Sequence, residues 1–383
     1  MKLTRLFKDF FQNEKTAGIL LIICTLVSLT LANFGPESYS HFWHSALAGQ
    51  SVEYWINDGL MTIFFLLIGL ELEREIYLGE LSNIKDAMLP IFGAIGGMLI
   101  PAGIFLIFNF GLDTQSGAGI PMATDIAFAL AILALLGNRV PTSLKIFLTA
   151  LAVIDDLGAI LVIAFFYTKT IAFTNLLISL GIFVLLLIIN RLKVRNLIPY
   201  LIGGVAMWYF MLHSGVHATI TGVLLAFAIP FGNGDEKSTS YTLQHFLHKP
   251  VSFFILPLFA LANTAIVLSS DIGTVLTEHY SIGIALGLIV GKPLGIFLLT
   301  FGAATFGLCK LPADLTWKSI IGVGFLGGIG FTMSIFITLL AFEDATIISN
   351  AKFIILLASL IAGTIGFIFL KLILTKEILE END

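Results

Sequence analysis

Two adjacent carboxylates, Asp155 and Asp156, sit inside "LTALAVIDDLGAILVIAFFY" (Leu148–Tyr167), flanked on both sides by almost wholly apolar text. Two further ionisable residues lie in similar surroundings, Asp125 in "GIPMATDIAFALAILALLG" and Lys292 in "LGLIVGKPLGIFLLTFG". Carboxylate oxygens are hard ligands that suit small cations, and they also take up protons. Three acids and one lysine carry a formal charge of −2 when all are ionised. Such a cluster attracts cations and raises the proton affinity of its own carboxylates. The residue types therefore point to binding of a cation, of protons, or of both in turn.

The elements that must hold these groups are apolar helices. Of 383 residues, 57% are hydrophobic and only 12% are charged, and Phe (34) and Gly (36) are abundant. With a mean hydropathy of +0.99, this is the composition of helices packed in lipid, not of a soluble domain. At about 20 apolar residues per crossing, twelve spans are expected. They centre near Ile23, Phe65, Met98, Ala127, Ile154, Phe183, Val205, Leu224, Leu261, Val290, Gly330 and Ala362. The N-terminus has a basic start and an apolar run but no small-residue cleavage site, so the run reads as the first span and not as a signal peptide. A single membrane domain is expected over residues 17–372, with a cytoplasmic N-terminus (1–16) and tail (373–383). Seventeen of the twenty Lys and Arg then fall on the side of the termini, Lys169 and Lys352 fall opposite, and Lys292 lies within a span. That asymmetry puts both termini in the cytoplasm. Cys24 and Cys309 are far apart in sequence and suggest neither a disulfide nor a metal site.

Inserting two aspartates near mid-membrane costs about 5–7 kcal/mol. The fourteen Leu, Ile, Val and Phe residues between Leu144 and Phe166 offset about 4–8 kcal/mol. One continuous helix can thus carry both acids. The alternative, two short re-entrant pieces with the acids at the turn, lacks Pro or paired glycines at "VIDDLG". Neighbouring helical positions point about 100° apart, so one acid can face a cavity while the other faces a helix. Lys292 either joins the cluster or snorkels to an interface.

"PAGIFLIFNFG" (Pro101–Gly111) rhymes with "PLGIFLLTFG" (Pro293–Gly302), and "TDIAF" (Thr124–Phe128) rhymes with "TMSIF" (Thr332–Phe336). The order suggests a duplicated unit, spans 3–5 and 10–12, crossing in opposite senses. Spans 4 and 11 also carry breakers: Gly117, Gly119 and Pro121 in one, and Gly324, Gly327, Gly328 and Gly330 in the other. Unwound backbone inside a membrane is tolerated only where protein or a cavity surrounds it. Two interrupted helices would present positive dipole at N-terminal ends and negative dipole at C-terminal ends. Asp125 could balance the former, and a cation or Lys292 the latter.

"ATDIAFAL", "AVIDDLGAI", "SGVHAT", "GKPLGI" and "GIGFTMSIF" together resemble the NhaA family of sodium/proton antiporters, from Gly18 to Phe367. Inverted repeats with broken helices are a known feature of that family. The resemblance implies a transporter and not an enzyme: an electrogenic exchanger in the bacterial cytoplasmic membrane that exports Na+ or Li+ against two protons and serves sodium and pH homeostasis. It implies Asp156 as the central ion-binding carboxylate with Asp155 beside it, and Lys292 paired with Asp155 when no ion is bound. Thr124 and Asp125 would sit at the crossing of the broken helices. The second proton travels either on the Asp155–Lys292 pair or on Lys292 itself. A pH-response set is implied at Glu71, Arg74 and Glu75 in "GLELEREIYLGEL", with His245 and His248 in "LQHFLHKP". Glu71 and Arg74, three apart, can pair on a helix. Gln244 stands where the family has an acid, which leaves the pH set-point open. His217 is either a motif residue or a packing histidine, and Asp58 either lines the outer mouth or caps a helix. The partners implied are Na+, Li+, H+, the lipid bilayer and a second copy of the chain, with no cofactor and no nucleic acid. The first outer loop, "HFWHSALAGQSVEYW", looks too short for the hairpin that joins protomers in the family.

Three other functions compete. "GNGD" (Gly232–Asp235) imitates an intramembrane aspartyl protease signature but lies in a polar loop. A channel would need a filter-like polar repeat, which the sequence lacks. A sodium-coupled symporter of an organic solute on a related scaffold would need a roomier polar pocket than one tight ionic cluster offers.

Overall fold

The computed structural model describes residues 2–168, 171–267 and 272–380. Lys169, expected on the outer side, and residues 381–383 of the expected tail lie outside the described residues. In chain order the principal helices are α1 (Lys2–Phe34), α2 (Met61–Tyr77), α3 (Ile84–Asn109), α4 (Ile126–Leu135), α5 (Thr142–Phe166), α6 (Phe173–Arg191), α7 (Ile198–Leu212) and α8 (Ile220–Ala228). They continue with α9 (Thr239–Pro250), α10 (Leu256–Asn263), α11 (His279–Leu286), α12 (Lys292–Thr305), α13 (Trp317–Gly327), α14 (Phe331–Ala341) and α15 (Ala345–Glu380). α15 runs on through the stretch read as a tail.

Eight stretches among the described residues are helical, long and apolar enough to cross a membrane, and two bent pairs raise the number to ten. The bent pairs are the 3-10 stretch Asp113–Met122 with α4 (40°) and α13 with α14 (49°). α7 and α8, also read as spans, are shorter at 15 and 9 residues. Outward-facing Leu177 (66% exposed), Val205 (68%) and Leu360 (69%) suit helices bathed in lipid.

Local chemistry sets many of the ends. Asn83 caps α3 by accepting from the Lys85 N–H, Ser238 caps α9 by accepting from the Tyr241 N–H, and Thr316 with Ser319 forms a capping box at α13. The loop expected on the outer side forms a hairpin with two residues per strand: β1 (Ala46–Leu47) pairs antiparallel with β2 (Gln50–Ser51). Ala48 and Gly49 both take positive φ, as a tight two-residue turn demands. A turn this tight lets the short loop close.

The chain divides into two compact units. The first comprises Met1–Pro36, Asn83–Ala159 and Asn263–Asp383, and so contains both stretches that rhyme in sequence. Within it α3 and α12 make the most extensive helix contact, where Gly96 and Gly295 meet backbone to backbone. A Cβ on Gly96 would lie 2.0 Å from the Gly295 carbonyl oxygen, and one on Gly295 would lie 2.1 Å from that of Gly96. Close approach of this kind is how helices associate where no hydrophobic effect drives them together. The second unit comprises Glu37–Ser82 and Ile160–Ala262. There α2 packs on α8, and a Cβ on Gly222 would strike the Thr62 carbonyl oxygen at 2.2 Å.

Candidate functional site

α5 is one unbroken helix of 25 residues, so the re-entrant alternative is not what the chain adopts. Asp155 and Asp156 fall near its middle, each 1% exposed. Lys292 enters at the first position of α12, directly after a π-helical turn, Gly287–Gly291. Such turns shift the register of a helix and often mark functional positions. The lysine is fully buried, so it does not snorkel. Its stem passes Gly97 and Gly327, where a Cβ would touch it at 3.6 and 3.7 Å.

The ammonium of Lys292 donates to Asp155 Oδ2 at 2.6 Å. It donates also to the Met122 carbonyl, the last residue of the 3-10 stretch before α4. A cation therefore sits at a C-terminal helix end, where the backbone dipole is negative. The Thr124 hydroxyl lies 2.7 Å from the same Asp155 Oδ2 and 2.9 Å from the Gly327 carbonyl, its one proton shared between two acceptors. Asp155 Oδ1 is buried with no hydrogen-bond donor among the described residues. A buried carboxylate oxygen with no donor is rare and calls for a reason. It is an acceptor open to a cation or a proton.

Asp125 occupies the other end of the arrangement. Its Oδ1 accepts from the Phe128 N–H at 3.0 Å and so caps α4, while its Oδ2 accepts from the Thr332 N–H at 3.0 Å in the first turn of α14. The Thr332 hydroxyl donates to the same oxygen. Across the break the Asp125 N–H donates to the Ile329 carbonyl at 2.7 Å. One carboxylate thus faces the positive ends of two half-helices. Gly327 ends α13, Gly328 caps it and Gly330 precedes α14, so all three glycines lie at the break. None has positive φ. Their need is space, since a Cβ on Gly328 would lie 2.3 Å from the Leu288 carbonyl oxygen. Among the described residues no three His, Cys, Asp or Glu side chains converge as a metal cage.

The second unit holds the residues expected to form the pH-response set, with Gln244, His217 and Asp58. Arg74 lies at the C-terminal end of α2 with its guanidinium carbon 5.6 Å from the centre of the Tyr241 ring, and His245 stacks on that ring at 6.2 Å. Glu71, Glu75 and His248 are half-buried nearby in sequence, as is Gln244. His217 Nε2 is 2.9 Å from the Tyr167 carbonyl oxygen, a backbone-anchored position. Asp58 lies in a π-helical turn, Trp55–Leu60, and caps no helix.

Sequence reasoning missed four participants. Thr332 was noticed only as part of a rhyme, yet it is the partner of Asp125. The Met122 and Gly327 carbonyls are invisible to side-chain motifs. Glu73 was passed over between Glu71 and Arg74, yet it is 4% exposed and accepts from the Ser240 hydroxyl at 3.3 Å. The signal was available: Glu73 falls three and seven residues after the buried Leu70 and Leu66, on the packed stripe of α2.

A family model described as "Na+/H+ antiporter 1" matches residues 8–370. The chain is similar to the Na(+)/H(+) antiporter NhaA of Flavobacterium psychrophilum, 77% identical over 384 residues and covering 100% of both chains. It is also similar to the Na(+)/H(+) antiporter NhaA 1 of Flavobacterium johnsoniae, 66% identical with 98% of this chain and 99% of that one covered. The Na(+)/H(+) antiporter NhaA of Cytophaga hutchinsonii is 60% identical, over 100% of this chain and 99% of that one.

Proposed function

This chain belongs to the Na+/H+ antiporter 1 family, and from that premise we propose that it exchanges Na+ for H+ across a membrane. One observation carries the reading. A fully buried Lys292–Asp155 ion pair sits between two interrupted helices, with Asp156 adjacent on the same helix. Sodium takes hard oxygen ligands, and protons compete for those same oxygens. One loaded species therefore excludes the other, which is the requirement for exchange and not for symport. Na+ engages Asp156 with Asp155, whose open Oδ1 supplies a further ligand. Binding draws Asp155 away from the ammonium, and reprotonation of the site restores the pair.

Several finer features are proposed with it. The exchange is electrogenic, two protons per Na+, accepts Li+, and serves sodium and pH homeostasis. Twelve spans, with 3–5 and 10–12 as inverted repeats, put both termini in the cytoplasm and the chain in the bacterial inner membrane. Glu71, Arg74, Glu75, His245 and His248 set the pH response. The protein works as a homodimer, and the β1–β2 hairpin is the family's place for that contact.

The test is collapse of a pH gradient in everted membrane vesicles on adding Na+, Li+ or K+ between about pH 6.5 and 9, with Asp156→Asn as control. Collapse that needs Na+ or Li+ and is lost in the variant supports antiport. No response to any cation from folded, inserted protein overturns it.

A further inference from the structure

The 3-10 stretch Asp113–Met122 stops at the ion site, and the last carbonyls of a helix have no partner within it. Two of them are met by side chains from other spans. Lys292 donates to the Met122 carbonyl. Ser334, on α14, donates its hydroxyl to the Ile120 carbonyl at 2.7 Å, across 214 residues of chain. Ser334 and Ile120 are both wholly buried. Between the two carbonyls stands Pro121, whose ring fixes its φ. Pro121 is also wedged against the π turn that begins at Gly287, where a Cβ would lie 2.6 Å from the Pro121 Cβ. A hold on the Ile120 carbonyl is therefore a hold on the Met122 carbonyl two residues on.

The Met122 carbonyl matters most when an ion is bound. In the exchange reading, on which this inference rests, Na+ draws Asp155 away from Lys292. A buried ammonium that loses its carboxylate must keep another acceptor, because a buried unpaired charge is costly. Among the described residues Lys292 donates to two groups, Asp155 and the Met122 carbonyl. With Asp155 on the ion, the carbonyl is what remains. Its position therefore enters the free energy of Na+ binding.

We propose that Ser334 is a positioning residue of the ion site. It fixes the Ile120 carbonyl, and through Pro121 the Met122 carbonyl, at the place where the Lys292 ammonium rests while Na+ holds Asp155. It acts through the backbone and not on the ion.

The experiment reads Na+ binding to the purified protein in detergent, from the rise in unfolding temperature as NaCl replaces choline chloride at one alkaline pH. Ser334→Ala should raise the half-maximal Na+ concentration about two- to tenfold, the worth of one hydrogen bond. Ser334→Cys, with a weaker donor, should give a smaller shift in the same direction, and it decides if the alanine variant does not fold. Thr338→Val is the structural control. Thr338 is equally buried on the same helix, but its hydroxyl bonds the Ser334 carbonyl of its own helix, at 2.8 Å. The valine should lower stability and leave the Na+ midpoint where it was. A second readout needs no Na+: Ser334→Ala should destabilise a Lys292→Ala background less than wild type, because no ammonium is left for the carbonyl to hold. A wild-type Na+ midpoint in the Ser334 variants overturns the proposal, as does an equal shift in Thr338→Val or strict additivity with Lys292→Ala. A wild type that binds Na+ without exchanging it sinks the exchange reading alone.

Discussion

Asp125 on one interrupted span accepts hydrogen bonds from both the backbone N–H and the hydroxyl of Thr332 on another, 207 residues away in the chain. Each broken helix leaves orphan N–H groups at its new N-terminus, and these need an acceptor once buried. A single carboxylate serves both. Thr332→Val keeps the shape and removes the hydroxyl, so it should destabilise the protein by about 1.5–3 kcal/mol, the range for a hydrogen bond to a charged group. Thr332→Ser should restore most of that. Thermal unfolding in detergent reads the effect, and a valine variant with the wild-type transition would refute the linkage.

Lys292→Ala should be costlier, because it strands the Asp155 carboxylate without its cation. Breaking a buried pair costs about 3–5 kcal/mol. Adding Asp155→Asn to that variant removes the stranded charge and should recover part of the loss, a coupling that a double-mutant cycle measures. Strict additivity of the two changes would mean that the 2.6 Å contact contributes no coupling.

Competition fixes the sign of the pH effect on transport. Protons and Na+ share the carboxylates, so the apparent KM for Na+ should rise as pH falls, by up to about tenfold per unit for each competing proton. Initial rates in vesicles across pH and Na+ concentration decide it. A KM independent of pH, with only the maximal rate changing, would remove direct competition.

Gln244 sits on α9 with His245, whose ring stacks on Tyr241 beneath Arg74. Gln244→Glu introduces a carboxylate one residue from His245 on the same helix and should shift the pH profile of exchange. An unchanged profile in vesicles would take this position out of the pH response.

Asp344 gives a pH effect on stability instead of transport. Its Oδ1 accepts from the Ile347 N–H at 3.0 Å and the Thr346 N–H at 2.8 Å at the start of α15. Those N–H groups hold the carboxyl below its usual range. A depressed carboxyl stabilises the fold above its unfolded-state pKa and loses that contribution as pH falls through the folded value. Asp344→Ala should therefore lower the unfolding temperature at neutral pH, and the gap to wild type should close in strong acid. A gap that persists there would point to packing and not to the cap.

Some of this protein is written locally in its sequence. Long apolar runs dictate helices long enough to cross a membrane, because a backbone in lipid must satisfy its own hydrogen bonds. Isolated acids within those runs announce a site, since their insertion cost must be offset. The glycines near residues 327–330 announce a break. All these signals act within one or two helical turns, which is why Asp155, Asp156, Asp125 and Lys292 stood out. Which groups meet was decided by tertiary structure. Lys292 reaches Asp155 and the Met122 carbonyl, and Thr124 reaches the Gly327 carbonyl, only because helices far apart in sequence pack through glycine contacts such as Gly96 on Gly295. Backbone carbonyls have no side-chain signature, and Glu73 looked like its charged neighbours until packing turned it inward to Ser240. Residue type sets what a group can do; its partners are set by long-range packing, because hydrogen bonds and ion pairs act over a few ångströms of space and not along the chain.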